Sequence, residues 1–342
     1  MSVSLESASR VTDVRAGLLG LSTAKPLEPI KVRRIAACID GSQFSGDVVS
    51  HALHIASALN AELTLLRVIE APTAVPLDPV AWELRVREAR DAVEMLAAEH
   101  RSIDRVIATE VTEGDPVEQI CQRVRRYDID LTVIATHGGR GVTEWGMGST
   151  ARKLLDRVPG SLLVVPANRL GGGVPVYRTV LVPLDGSSYA ESVLQLAETI
   201  AHGDGGRIVL AHVVPFPELT EAAPIEAEGR ELCDRLVRRN RRVAEEYLAA
   251  VRARLSGDVE IHMEFHDADT RAGLASIIVA ERPDIVVLSA HGHGRRWDVP
   301  FGSVTGYLLN HADVPLLIVR ARKAAVVPDD AALARLPVHA GG

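Results

Sequence analysis

The chain has 342 residues, 47% apolar, 24% charged and only 4% aromatic, the composition of a soluble globular protein of about two domains with aliphatic cores. Its net charge of −7 gives no overall pull towards nucleic acid or anionic membranes, and no apolar run is long enough to span a bilayer. The three cysteines, Cys38, Cys121 and Cys233, are odd in number, far apart and set in apolar patterns, which reads as reduced, buried thiols in a cytoplasmic protein.

Residues 1–31 carry Glu6, Asp13 and Glu28, and their longest apolar piece, residues 16–21, is too short for a secretory core. The segment reads as a flexible leader. Residues 33–39 form an apolar strand that ends at Asp40-Gly41-Ser42, and a helical pattern with Val48, Val49, Leu53 and Ile55 follows. Residues 63–69 form a second strand, closed by a loop containing Pro72, Pro76 and Pro79. A long charged helix is expected over residues 81–100, with Leu84, Val93 and Leu96 as its apolar stripe. After a strand at 106–111, Asp115-Pro116 starts a helix, with aspartate as N-cap and proline at the first helical position. Residues 131–135 and 162–165 are the fourth and fifth strands. Strand and helix alternate throughout, which implies a parallel sheet covered by helices on both faces.

Gly171-Gly172-Gly173 reads as a linker, and then the series restarts. A strand at 178–184 ends at Asp185-Gly186-Ser187. Strands follow at 208–214, 259–265, 284–289 and 316–319, with a long helix over 228–255 and a shorter one over 270–281. From Lys323 the chain reads as a loose tail. The step of 154 residues that carries Gly138 to Gly292 also carries Ser149 to Ser303. A period of that size is a tandem duplication, not a solenoid. The resulting plan is a leader (1–31), a first domain (32–168), a linker (169–176), a second domain (177–322) and a tail (323–342).

One stretch occurs in both halves. Ala135-Thr136-His137-Gly138 is followed by nine residues and Gly148-Ser149. Ser289-Ala290-His291-Gly292 is followed by nine residues and Gly302-Ser303. Each copy lies after an apolar strand and before a helical pattern. Such a loop can wrap a phosphate chain: glycine admits close backbone approach, and a helix start offers free N–H groups and the positive end of its dipole. The serine can cap the helix or bond a phosphate oxygen. In an open parallel sheet the first and fourth strands flank the crevice where ligands sit. Asp40 and Asp185 are therefore brought beside the His-Gly loops, where a carboxylate can accept from ribose hydroxyls or an adenine amino group. The alternative for each Asp-Gly-Ser is a helix cap and turn.

Neither a G-x-G-x-x-G fingerprint nor a G-x-x-x-x-G-K-[ST] loop is present. His291 and His293 lack a nearby third ligand, so no metal site is expected. Arg140, Arg295 and Arg296 lie in the loops, where they can meet phosphate or water. The basic run Arg238-Arg239-Asn240-Arg241-Arg242 lies beside Glu245 and Glu246 and reads as a solvated, ion-paired helix face, not a nucleic-acid patch. No positioned base or carboxylate pair suggests catalysis; His137 and His291 are read as shaping the loop.

Together these motifs resemble the universal stress protein family in its tandem form, over about residues 32–322. The resemblance rests on Ile39-Asp40-Gly41-Ser42 and Leu184-Asp185-Gly186-Ser187, on Leu66-Arg67-Val68 and Ala211-His212-Val213, on the two His-Gly loops and on the final apolar strands. It implies two doubly wound α/β domains, each with a five-stranded parallel, Rossmann-like (adenine nucleotide alpha hydrolase-like) sheet. It also implies ATP with Mg2+ as ligand, a stress-response role without catalysis, an unidentified protein partner, and halves packed as an intramolecular pseudo-dimer. Asp40 and Asp185 would take the adenosine, with Val68 and Val213 beside the base. Gly138, Gly148 and Ser149, and Gly292, Gly302 and Ser303, would hold the phosphates. The family's ATP-binding branch has glycine where this chain has Ala135 and Ser289. A Cβ there costs contact distance, and strain as well if the position requires positive φ. The other readings are a tandem partner-binding module without nucleotide, and a slow ATPase.

Overall fold

A computed structural model of the protein describes residues 30–71, 78–101, 106–137, 147–166, 173–215, 227–266, 269–292 and 300–320. The expected leader and tail fall almost wholly outside these residues, as do Gly138, Arg140, Gly171, Gly172, His293, Arg295 and Arg296.

The first half contains β1 (Arg34–Ile39), α1 (Ser45–Leu59), β2 (Glu62–Ile69), α2 (Pro79–Glu99), β3 (Ile107–Glu113), α3 (Pro116–Arg126), β4 (Leu131–Ala135), α4 (Ser149–Arg157) and β5 (Ser161–Val165). The second contains β6 (Thr179–Pro183), α5 (Ser188–Glu191), α6 (Leu194–Gly203), β7 (Arg207–Pro215), α7 (Ala227–Arg252), β8 (Asp258–His266), α8 (Thr270–Glu281), β9 (Ile285–Ser289), α9 (Ser303–His311) and β10 (Leu316–Val319). The strands form one sheet in the order β3-β2-β1-β4-β5-β10-β9-β6-β7-β8. Within each half every pairing is parallel. The join between halves is antiparallel, with Leu316 opposite Val164, Leu317 opposite Leu163 and Ile318 opposite Leu162.

Local chemistry accounts for the elements. Asp115 caps α3, accepting from the Glu118 N–H at 2.9 Å, with Pro116 at the first position. Asp78 caps α2 in the same manner ahead of Pro79, accepting from the Val80 N–H at 3.0 Å. The buried stripe of α2 is Val86, Ala89, Val93 and Ala97. Leu84, expected in that stripe, is 55% exposed. It lies two residues from Val86, about 200° around the helix, and so faces away from the sheet. Of the cysteines only Cys121 is fully buried; Cys38 and Cys233 are half-buried, and all three are free thiols.

Two apolar cores run across both halves, one on each face of the sheet. On one face α1, α2, α6 and α7 pack on Ile35, Leu65, Leu163, Leu210 and Leu317. On the other, α3, α4, α8 and α9 pack on Ala36, Leu162, Leu181, Val286 and Ile318. All of β5 and β10 is buried, as strands covered on both faces must be.

Polar contacts lock the join. α1 packs on α6 closely enough that a Cβ on Gly203 would stand 3.3 Å from the Ala58 Cβ. His54 Nε2 pairs with Asp204 Oδ2 at 2.7 Å, and that carboxylate also accepts from the Tyr177 N–H. The buried Tyr177 hydroxyl bonds His51 Nδ1 at 2.6 Å. At the far end of the join, Arg320 donates to the carbonyl oxygens of Leu155 and Val158, which close α4. A cation there complements the negative end of the α4 dipole.

Two outcomes follow from this join. Residues 30–170 alone would leave the apolar β5 edge unpaired; gel filtration should find that fragment self-associated, and a stable monomer would contradict the pairing. Burial lowers His51 to about 4, against an opposing pull from Asp47 and with a smaller push from His54. An unfolded histidine titrates near 6.5. The stability due to neutral His51 is therefore complete above pH 6.5 and is lost as pH falls from 6.5 to 4, by roughly 3 kcal/mol in all. Denaturant midpoints should fall over that window in the parent and less steeply in His51→Gln; equal slopes would contradict the assignment.

Candidate functional site

The strand order reverses between β1 and β4 in the first half and between β6 and β9 in the second, so the crevices lie at the carboxyl ends of those strands. Beyond β1, Asp40 Oδ1 accepts from the Ser42 N–H at 2.9 Å. Beyond β6, Asp185 Oδ1 accepts from the Ser187 N–H at 2.9 Å. Gly41 and Gly186 make the turns at φ of 78° and 85°, a region open to glycine at little cost. Both aspartates are exposed and neither is a helix cap. In the second half the cap is Ser187, which accepts from the Ala190 N–H at 3.1 Å.

The His-Gly loops close at the base by the same bond. The Gly148 N–H donates to Thr136 O at 2.8 Å, and the Gly302 N–H to Ala290 O at 2.8 Å. Gly148 and Gly302 are themselves the N-caps of α4 and α9, without a side-chain capping bond in either case. The sequence expectation that Ser149 and Ser303 cap these helices is therefore corrected. They stand one position later, where the hydroxyl leaves the first-turn N–H groups uncapped, and both serines are exposed. Two uncapped helix starts thus point their N–H groups and dipoles at the crevices.

Ala135 and Ser289 are the last residues of β4 and β9. Among described residues the non-glycine positive φ values belong to Asn60, Asp128 and Arg282. Positive-φ strain at Ala135 and Ser289 is thereby ruled out, and the question at these positions is space alone. Ser289 Oγ accepts from the His291 N–H at 3.4 Å, and its carbonyl accepts from the buried Thr305 hydroxyl at 3.4 Å.

In the second half these residues enclose a cavity of about 220 Å³ lined by Asp185, Val213, Ser289, His291, Gly292, Gly302 and Ser303. These are the second-half residues that the sequence assigned to a ligand or its loop. Thr270 and Leu274 of α8, with Thr305, also line the cavity; no sequence motif marks them, although a helix start after the third strand placed α8 nearby. In the first half, Val68 packs against the α3/α4 core. His137 is only 9% exposed; its Nδ1 lies 3.0 Å from Thr136 Oγ1, and its Nε2 is buried with no hydrogen-bond partner among the described residues. His212, beside Val213, uses Nδ1–H to donate to Leu184 O at 2.7 Å, and burial lowers its pKa. That fixes the neutral Nδ1–H tautomer and braces the Asp185 turn. Among the described residues no cluster of three or more His, Cys, Asp or Glu could hold a metal ion, and no helix is long and apolar enough to cross a membrane.

The model of the Universal stress protein family matches this chain twice, over residues 31–166 and 176–320. Universal stress protein Rv2005c of Mycobacterium tuberculosis is 23% identical over 314 residues, covering 86% of this chain and 99% of its own. Universal stress protein Rv1996 of the same organism is 25% identical over 327 residues, covering 86% and 97%. Among solved structures, a universal stress protein from Archaeoglobus fulgidus aligns at a TM-score of 0.59 and 17% identity over 84% of this chain and 98% of that one. A protein of unknown function, PA1789 from Pseudomonas aeruginosa, aligns at 0.60 and 15% over 84% and 92%. At such identities these structures speak for the fold alone.

The two sides of the second crevice touch at Gly292, where a Cβ would stand 2.0 Å from Asp185 Oδ2. That carboxylate is tethered by the Ser187 N–H and has little freedom to withdraw. Gly292→Ala should therefore cost about 1–3 kcal/mol, and much less on an Asp185→Ala background. Denaturant unfolding of the four proteins in this cycle reads the coupling; equal penalties on both backgrounds would refute the contact.

Proposed function

The chain belongs to the universal stress protein family, and from that premise we propose that it binds an adenine nucleotide, ATP with Mg2+, at the strand-end crevices. In this reading it acts in stress response through regulation or partner binding and not through turnover. The observation that carries the reading is the convergence of seven motif residues, from four separate stretches of the second half, on one cavity. Their chemistry fits the ligand. Asp185 offers a carboxylate to ribose hydroxyls, and Val213 gives an apolar wall to the base. The α9 start offers N–H groups, and Ser303 a hydroxyl, to the phosphates.

Gly302 adds a second support. Its φ is −72°, and a Cβ built on it would find its nearest neighbour, Ala290 O, at 3.7 Å. The fold has no steric need of glycine there, and Ser, Thr, Asn or Asp are preferred at an N-cap. An open surface at the helix start is what an incoming phosphate requires. A cavity of about 220 Å³ is smaller than the roughly 300–1,000 Å³ usual for small-molecule pockets, so part of the nucleotide would lie in the open groove. Mg2+ would be carried chiefly by phosphate oxygens and by the waters this ion gives up reluctantly.

The Cβ atoms of Ala135 and Ser289, where the ATP-binding pattern has glycine, favour a second reading, a tandem partner-binding module without nucleotide. Calorimetric titration with magnesium-ATP separates the two. Binding heat is expected from the parent, with affinity weakened by about 1–2 kcal/mol in Ser303→Ala. Ser289→Gly should tighten binding if its Cβ intrudes on the ligand. Absence of binding in both the parent and Ser289→Gly would leave the partner-binding module.

A further inference from the structure

We propose that the two crevices are not equivalent: the second half is the tight nucleotide seat, and the first is obstructed by the chain's own Arg67. This rests on the nucleotide reading above and goes beyond it by placing the ligand. Three matched places differ in a way that favours the second half; a fourth, Ala135 against Ser289, puts the larger side chain in the second half.

The first position is the penultimate motif residue of the second strand, Arg67 in one half and His212 in the other. The Arg67 guanidinium lies over the Asp40-Gly41 turn. A Cβ on Gly41 would stand 2.7 Å from its Nη2 and 2.9 Å from its Cζ. A planar cation thus stands against the Cβ side of the turn on which an adenosine would have to settle, while Gly41 itself stays exposed, and the cation must shift before a ligand takes that side. His212 brings a smaller, neutral ring to the matched place. Its Nδ1–H is committed to Leu184 O, and its ring packs edge-on against Tyr247, 6.1 Å between centroids.

The second position is the loop histidine. His137 is buried against Thr136, whereas in the other half Thr136 is replaced by Ala290, and His291 is half-exposed on the cavity wall. The third is the helix-start glycine. A Cβ at Gly148 would meet Thr136 O at 3.2 Å, but at Gly302 the nearest atom is 3.7 Å away. The first phosphate seat is the more confined.

Equilibrium dialysis of the full chain against radiolabelled ATP with magnesium tests this. One tight site per chain is expected, with any second site at least ten-fold weaker. Gly302→Val should abolish the tight site and Gly148→Val should spare it. Arg67→His should bring a second site to within about three-fold of the first. Thermal melts of each variant, with Gly302→Ala as the milder change, show whether lost binding reflects lost folding. Two equal sites in the parent, loss of the tight site in a folded Gly148→Val, or an unchanged stoichiometry in Arg67→His would each overturn the assignment while leaving nucleotide binding intact. No site in the parent or in any variant would instead overturn the nucleotide reading, and this inference with it.

Discussion

Three residue pairs in the middle of one sheet hold the two halves in register. β5 and β10 meet antiparallel with Leu162, Leu163, Leu317 and Ile318 wholly buried. Each such side chain contributes about 1.5–3 kcal/mol by leaving water, and the ladder satisfies backbone groups that would otherwise face solvent at two open edges. Because the pairing is antiparallel, the strand ends of the two halves point in opposite directions along the sheet. The crevices therefore open at opposite ends of the molecule and do not share a wall. The helices flanking the join meet as well, with α1 on α6 and Tyr177 and Asp204 reaching across to His51 and His54.

That frame gives each crevice a rigid floor and leaves the variation to short segments. The His-Gly loops are closed by the same N–H to carbonyl bond at the same 2.8 Å, so the helix starts stand in matched places. What differs is side-chain chemistry: arginine against histidine beside the aspartate turn, threonine against alanine before the loop histidine. A duplicated fold can in this way keep its backbone twice and specialise one copy through a few side chains at the strand ends.

Much of this was legible in the sequence, for identifiable reasons. Runs such as Leu-Thr-Val-Ile-Ala have no polar face, and β4 has the predicted bounds; a strand buried on both sides announces itself. Asp115-Pro116 predicted a capped helix, and the side-chain bond is there. The repeated motifs lead to seven of the residues that line the second-half cavity. What escaped depended on geometry finer than spacing. Leu84 was assigned to the buried stripe because leucine is apolar, although its angular position puts it in solvent. Serine at a helix start leaves capping and phosphate bonding both open, and the coordinates give the N-cap position to the glycine before each. Strain at Ala135 and Ser289 depended on φ, which only coordinates supply. The wall contributed by Thr270 and Leu274 carries no motif, because it needs only shape.

The grip of Arg320 on the last carbonyls of α4 places a first-half contact at the very end of the second half. A nascent chain reaches β5 about 150 residues before it reaches β10. At roughly 5–20 residues per second, translation takes on the order of 10–30 s to supply the partner strand and the arginine behind it. Throughout that interval the first half waits on the ribosome with its most apolar strand uncovered. Neighbouring chains on one messenger carry the same strand in the same state, so the crowding of ribosomes, and not the stability of the finished protein, would set the risk of wrong pairing.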